Sequence, residues 1–104
     1  MPEHIEPLMA GYAHIIKLGE VVDSAGIRVP EYQFTYNDGS NSYARTFDEM
    51  GLVEFLKEDI ALTPEALNAL LTELRDRGNT NLAGLDIAHQ DASVMGLKEV
   101  PSDV

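Results

Sequence analysis

Tyr32-Gln33-Phe34-Thr35-Tyr36-Asn37-Asp38-Gly39-Ser40-Asn41-Ser42-Tyr43-Ala44-Arg45-Thr46-Phe47 is the stretch that decides the fold of this chain. On either side of a turn signal every second residue is aromatic or long, which is the repeat of a strand with one face buried. The Asn, Asp, Gly and Ser residues between the two runs are the types that turns demand. Two registers are open. A two-residue turn at Asp38-Gly39 sets Phe34 opposite Tyr43 and Tyr32 opposite Arg45, whereas a four-residue loop sets Tyr36 opposite Tyr43 and Tyr32 opposite Phe47. Both gather the rings on one face. Cross-strand aromatic pairs contribute about 0.2–1 kcal/mol each, and an exposed Arg45 over a ring about 0.5–1 kcal/mol. Gln33, Thr35, Ala44 and Thr46 form the opposite face, polar enough to meet water.

Two amphipathic helices are expected directly after the hairpin. Thr46 with Glu49 matches a capping box, while Asp48 as cap would let Phe47 staple against Leu52. Met50, Val53, Leu56 and Ile60, joined by Leu52 and Phe55, recur at helical spacing and leave Glu54, Lys57 and Glu58 outward. Gly51 costs about 1 kcal/mol relative to Ala in a helix interior, and less in a first turn. In the second helix Thr63 caps, Pro64 sits where a missing N–H does no harm, Arg75 and Arg77 lie at the negative end, and Gly78 supplies the stop. Ala66, Leu67, Leu70, Leu71 and Leu74 make its apolar stripe.

Residues 5–25 carry two patterns. Leu8, Tyr12, Ile15 and Val22 approximate a helical stripe between Pro7 and Gly26, and a helix is the expectation. The rival is a strand through Tyr12, His14, Ile16 and Leu18, bent at Gly19 and paired with the next segment of the chain. Residues 25–30 read as a connector because Pro30 lacks a ladder donor. After Asn79-Thr80-Asn81 the signal fades: Leu85 and Ile87 alternate as in a short strand, and residues 101–104 read as a frayed end. A two-stranded hairpin is marginal alone. It needs a third strand, for which residues 12–18 and 83–88 are the candidates, or else a second chain on the hairpin edge or aromatic face, giving a homodimer.

The 104 residues suit a single α+β domain over residues 1–100: N-terminal helix or strand, β-hairpin, two amphipathic helices packed on the hairpin, and a short C-terminal strand or tail. No apolar run approaches the roughly 20 residues of a membrane span. The acidic N-terminus lacks the regions of a secretory signal, and the absence of cysteine removes disulfide and thiolate chemistry. A cytoplasmic location is therefore expected.

Net charge is −11, spread along the chain. Residues 1–38 hold six acids and two bases, residues 39–78 eight and four, and residues 79–104 four and one. With no basic segment to displace counterions from phosphates, direct nucleic-acid binding is not expected, and neither is binding to anionic membranes. Attraction to a basic protein remains open. Phosphate-loop, dinucleotide, nucleophile-elbow and His-Glu-x-x-His motifs are missing, and no cofactor is expected. Asn37-Asp38-Gly39-Ser40-Asn41 lacks the alternating acids and final glutamate of a calcium loop.

The remaining chemical candidates are few. His89 with Asp86 and Asp91 offers an imidazole that a carboxylate would orient, although no regular geometry gathers all three. His14, His89 and Asp86 would make a two-histidine, one-carboxylate metal site if they converged. His14 otherwise reads as a core or element-edge histidine, and His4 would join only from a tied-down terminus. Glu54, Glu58 and Asp59 cluster outward and read as a solvated face or a patch for a basic partner. The expected function is a non-catalytic protein–protein interaction or self-associating module whose contacts involve Tyr32, Phe34, Tyr36, Tyr43, Arg45, Glu54 and Glu58. A small metal-dependent or acid-base enzyme and an acidic nucleic-acid mimic are the alternatives.

Overall fold

The computed structural model describes residues 11–100. Five antiparallel strands form one sheet: β1 (Tyr12–Val22), β2 (Arg28–Asn37), β3 (Ser42–Asp48), β4 (Asn79–Leu82) and β5 (Lys98–Val100). Three helices, α1 (Glu49–Glu58), α2 (Pro64–Arg77) and α3 (His89–Val94), pack on it. The order across the sheet is β4-β1-β2-β3-β5, and the class is α+β.

The hairpin adopts the four-residue loop, with Tyr36 opposite Tyr43 and Tyr32 opposite Phe47. Asp38 builds that loop: its Oδ1 accepts from the backbone N–H of Ser40 at 2.8 Å and of Asn41 at 2.7 Å. Asn37 accepts from Gly39 N–H at 2.8 Å. The inward rings then form a core with Ala13 and Ile15 of β1, Leu52, Phe55 and Leu56 of α1, and Leu70 and Leu74 of α2. Phe55 meets Phe34 edge-on at 5.0 Å between centroids and lies 4.8 Å from Phe47, within the range at which aromatic pairs add to simple burial.

The helix expected within residues 5–25 is a strand over the described part. Ala13 and Ile15 are the buried pair of β1, and Tyr12, His14 and Ile16 point the other way. Tyr12, Ile15 and Val22 approximate helical spacing in sequence, but pairing with β2 imposes the two-residue alternation that buries Ala13 and Ile15. The sheet bends where the register shifts between Lys17 and Gly19, a bulge that leaves Leu18 unpaired. Leu8 and Pro7, which carried the helical stripe, lie outside the described residues.

Other expectations are corrected as well. Residues 28–30 belong to β2 rather than to a connector; Pro30 pairs with Glu20, and β3 reaches only as far as Glu31, so no neighbour on that side needs the proline's missing N–H. The third strand from the C-terminal part is β4 at 79–82, not 83–88. Residues 83–88 stay irregular because other groups take their backbone: Leu85 N–H bonds Gly11 O at 3.0 Å, and Ile87 N–H bonds the Tyr36 hydroxyl at 3.1 Å. Both hairpin edges are occupied, by β1 and β5, so the condition for a hairpin-edge homodimer is not met. Finally, Met50 (78 % exposed) and Ala66 fall outside the stripes assigned to them, since Leu52 and Leu70 turn those faces inward.

Helix ends obey the capping signals. Asp48 is the cap of α1 and accepts from Gly51 N–H at 2.8 Å; Thr63 caps α2 through Ala66 N–H at 3.1 Å. Gly51 lies in the first turn, where a Cβ would press the cap oxygen at 3.0 Å. Gly11 is required sterically: at φ +79° a Cβ would stand 2.5 Å from Leu85 O, so only glycine lets the 83–88 segment close on β1. Among the described residues no helix is long and apolar enough to cross a membrane.

Candidate functional site

Alternation along the strands gives the sheet two unlike sides. With the aromatic side covered by helices, the opposite side lies open among the described residues. It forms a shallow hollow of about 450 Å³ lined by Tyr12, His14 and Ile16 of β1, Gln33, Thr35 and Asn37 of β2, Ser42 of β3 and Asn81 of β4. The register explains the grouping: His14 stands between Thr35 on one side and Asn81 on the other. Asn37 Nδ2 donates to Ser42 Oγ at 2.8 Å, so that hydroxyl is engaged by an amide.

The chemistry of the hollow is uniform. None of its eight lining residues is acidic, in a chain with 18 acids, and His14 is the one titratable imidazole among them. Glu31, Asp48 and Lys98 share the same strand parity but stand at its rim. Beyond Glu31, which pairs with Gly19, the face continues by register onto Val21 and Val29.

A second polar cluster lies on the helical side. The Tyr43 hydroxyl is 2.6 Å from His89 Nδ1 and 3.2 Å from Asp38 Oδ2. Burial raises the Tyr43 pKa, while backbone N–H bonds from Asn41 and Ser40 lower that of Asp38. A phenol with one proton serves one of these acceptors at a time. Tyr36 bonds Leu85 O and Ile87 N–H, and Arg45 donates to Met95 O while stacking 4.5 Å over Phe47. Tyr36, Tyr43 and Arg45 thus pin residues 85–96 to the sheet. Their polar atoms are occupied by the chain itself.

The fold scatters the expected site residues. Tyr32, Phe34, Tyr36 and Tyr43 are buried in the core, so the rings expected at an aromatic contact face are covered by the chain's own helices. Arg45 is exposed but bound to Met95 O and stacked on Phe47. Glu54 and Glu58 line a small hollow of about 180 Å³ beside Arg45, Phe47 and Asp59. His14 and His89 lie on opposite sides of the sheet, since His14 alternates with the buried Ala13 and Ile15 whereas His89 contacts the buried Tyr43. Asp86 and Asp91 are exposed, in the loop before α3 and in its first turn. The convergent metal or acid-base site is therefore not assembled. Among the described residues no group of three His, Cys, Asp or Glu side chains is able to hold a metal, and His4 lies outside them.

The open hollow is the feature that sequence reasoning passed over, although Gln33 and Thr35 were placed on its face. Its signal is local: residues 12–16 carry no acid or base except His14, residues 32–47 have Asp38 as their sole acid, and residues 79–82 have none. Comparison with known protein families, curated proteins and solved structures finds no match to this chain.

Proposed function

We propose that this protein is a non-catalytic protein–protein interaction module that docks through the open side of its sheet. The observation that carries the reading is the absence of carboxylates from the hollow at the centre of the sheet face that lies open among the described residues, in so acidic a chain. Charge depletion at the centre with charge kept to the rim is the composition that protein interfaces adopt, because desolvating an unpaired carboxylate is costly. Tyr12 and Ile16 supply apolar surface, and the amides and hydroxyls around them both donate and accept. Ser42 is bonded to an amide, and His14 has neutral cross-strand neighbours, so neither residue is set up as an activated nucleophile or base.

A photocrosslinker placed at Gln33, on the open face, and separately at Met50, on the exposed side of α1, tests the reading. A discrete protein adduct from Gln33, well above the yield from Met50, is expected. Equal yields from the two positions, or no adduct from Gln33, would overturn it.

A further inference from the structure

We infer that the partner on the open sheet face is a second copy of this chain, packed face to face about a twofold axis; this rests on the docking reading above. An isologous contact sets each patch against itself, so every charge in it meets its like. A chain of net charge −11 approaches its own copy at least electrostatic cost where carboxylates are absent, and the hollow is such a place. Among its polar groups Gln33 and Asn81 each carry both donor and acceptor capacity, and Thr35 a hydroxyl that turns to suit; Asn37 is already engaged with Ser42 and Gly39. Groups of that kind pair with their own copies, which carboxylates and ammonium groups cannot do. A basic partner would instead be expected to select a face that holds acids.

Geometry sets the strength. Five strands about 4.8 Å apart, with about five residues each from β1, β2 and β3 and fewer from β4 and β5 at about 3.3 Å per residue, give a face of at most about 24 by 17 Å. Two such faces, even with side-chain relief, reach only the lower class of interfaces, below about 1,200 Å² in total, and Glu31 bounds the contact before Val21 and Val29. The dimer is accordingly weak and dissociates on dilution. Its form is a sandwich of two open sheets about 10 Å apart, with each chain's helices outside.

Sedimentation equilibrium on the full chain, from a few to several hundred micromolar, reads the mass directly. The expected result is a shift from one chain towards two as concentration rises. Thr35→Glu and Thr35→Lys should each weaken association at least about tenfold through like charges at the contact, and an equimolar mixture of the two should restore it. Asn81→Glu and Asn81→Lys, at an exposed position, provide a second such pair should either Thr35 variant lose its wild-type melting profile. Monomeric mass throughout overturns the inference. So does a dimer indifferent to both charge pairs, because it must then use another surface. A Gln33 crosslink to a different protein, with this chain staying monomeric, removes the second copy and leaves the docking reading standing; absence of any adduct removes both.

Discussion

The helical side of the sheet and its open side are made by alternate residues of the same strands, yet they have opposite chemistry. Phe34, Tyr36, Tyr43 and Phe47 go inward and are buried, while Gln33, Thr35, Asn37 and Ser42 go outward to the hollow. Along β1 the same division puts Ala13 and Ile15 inside and leaves Tyr12, His14 and Ile16 outside. The inner side holds the fold together through shape and apolar area; the outer side contributes little to it. The centre of that side holds no acidic side chain, while Glu31, Asp48 and Lys98 share its parity around the hollow.

The largest test of this contrast sets neighbouring residues against each other. Phe34 is 0 % exposed and touches Phe55, so Phe34→Ala should cost about 3–5 kcal/mol, a large part of the roughly 5–15 kcal/mol that stabilises a domain. Thr35→Ala, one residue on and on the other face, should change stability by no more than about 0.5 kcal/mol. Urea denaturation at low protein concentration measures both. A Thr35→Ala cost approaching that of Phe34→Ala would show that the outer face is packed by the chain itself.

The next contrast lies within the inner face, between two tyrosines whose hydroxyls hold the C-terminal segment. Tyr36→Phe leaves the N–H of buried Ile87 without its partner and should cost about 1–3 kcal/mol. Tyr43→Phe removes bonds to Asp38 and to the exposed His89, both of which water can replace, and should cost about 0.5–1.5 kcal/mol. Hydrogen exchange should show faster exchange around Ile87 in the first variant and around α3 in the second. A larger loss from Tyr43→Phe would mean that α3, rather than the 83–88 loop, anchors this segment.

Glu73 tests a similar distinction at the edge. It lies 3.8 Å from Arg77, a helix pair of only about 0.2–0.5 kcal/mol, but it also accepts the hydroxyl of Thr80, which is 4 % exposed. Glu73→Gln keeps an acceptor and should cost a few tenths of a kcal/mol, whereas Glu73→Ala leaves a buried hydroxyl unpaired and should cost about 1 kcal/mol or more. Equal melting temperatures for the two variants would remove Thr80 from the account.

Legibility in the sequence tracked how local each cause is. The hairpin, the Asp48 and Thr63 caps and the Gly78 stop depend on residues a few positions apart, and each is visible in the order of residues. The identity of β1 was not, because Tyr12, Ile15 and Val22 approximate helical spacing until the partner strand β2 imposes a two-residue alternation. Residues 83–88 misled for the same reason: Leu85 and Ile87 alternate like a strand, but the Tyr36 hydroxyl, some 50 residues away, takes the backbone group a ladder would need. The hollow was half legible. Gln33 and Thr35 marked its face, and only the joining of β1 and β4 to that face reveals a hollow whose lining holds no acid.

The smallest effect concerns the turn that joins the two rows of rings. Backbone N–H bonds from Asn41 and Ser40 hold the Asp38 carboxyl below its ordinary range, so the folded state binds this proton less readily than the unfolded chain does. Linkage sets the sign: the contribution is fully present above the unfolded carboxylate value of about 3.9 and is lost as pH falls through the lower folded value. Asp38→Asn keeps an acceptor oxygen but removes the titration. The stability difference between wild type and Asp38→Asn should therefore shrink as pH falls below about 3.9, read from urea midpoints at each pH. At the other end, burial raises Tyr32 and Tyr43 above the ordinary tyrosine value, so their contribution is intact below about pH 10 and declines above it. Tyr43→Phe should flatten part of that alkaline decline, while Asp38→Asn should flatten the acid limb. An acid limb unchanged by Asp38→Asn would place the pH sensitivity in other carboxylates and leave the hairpin turn outside it.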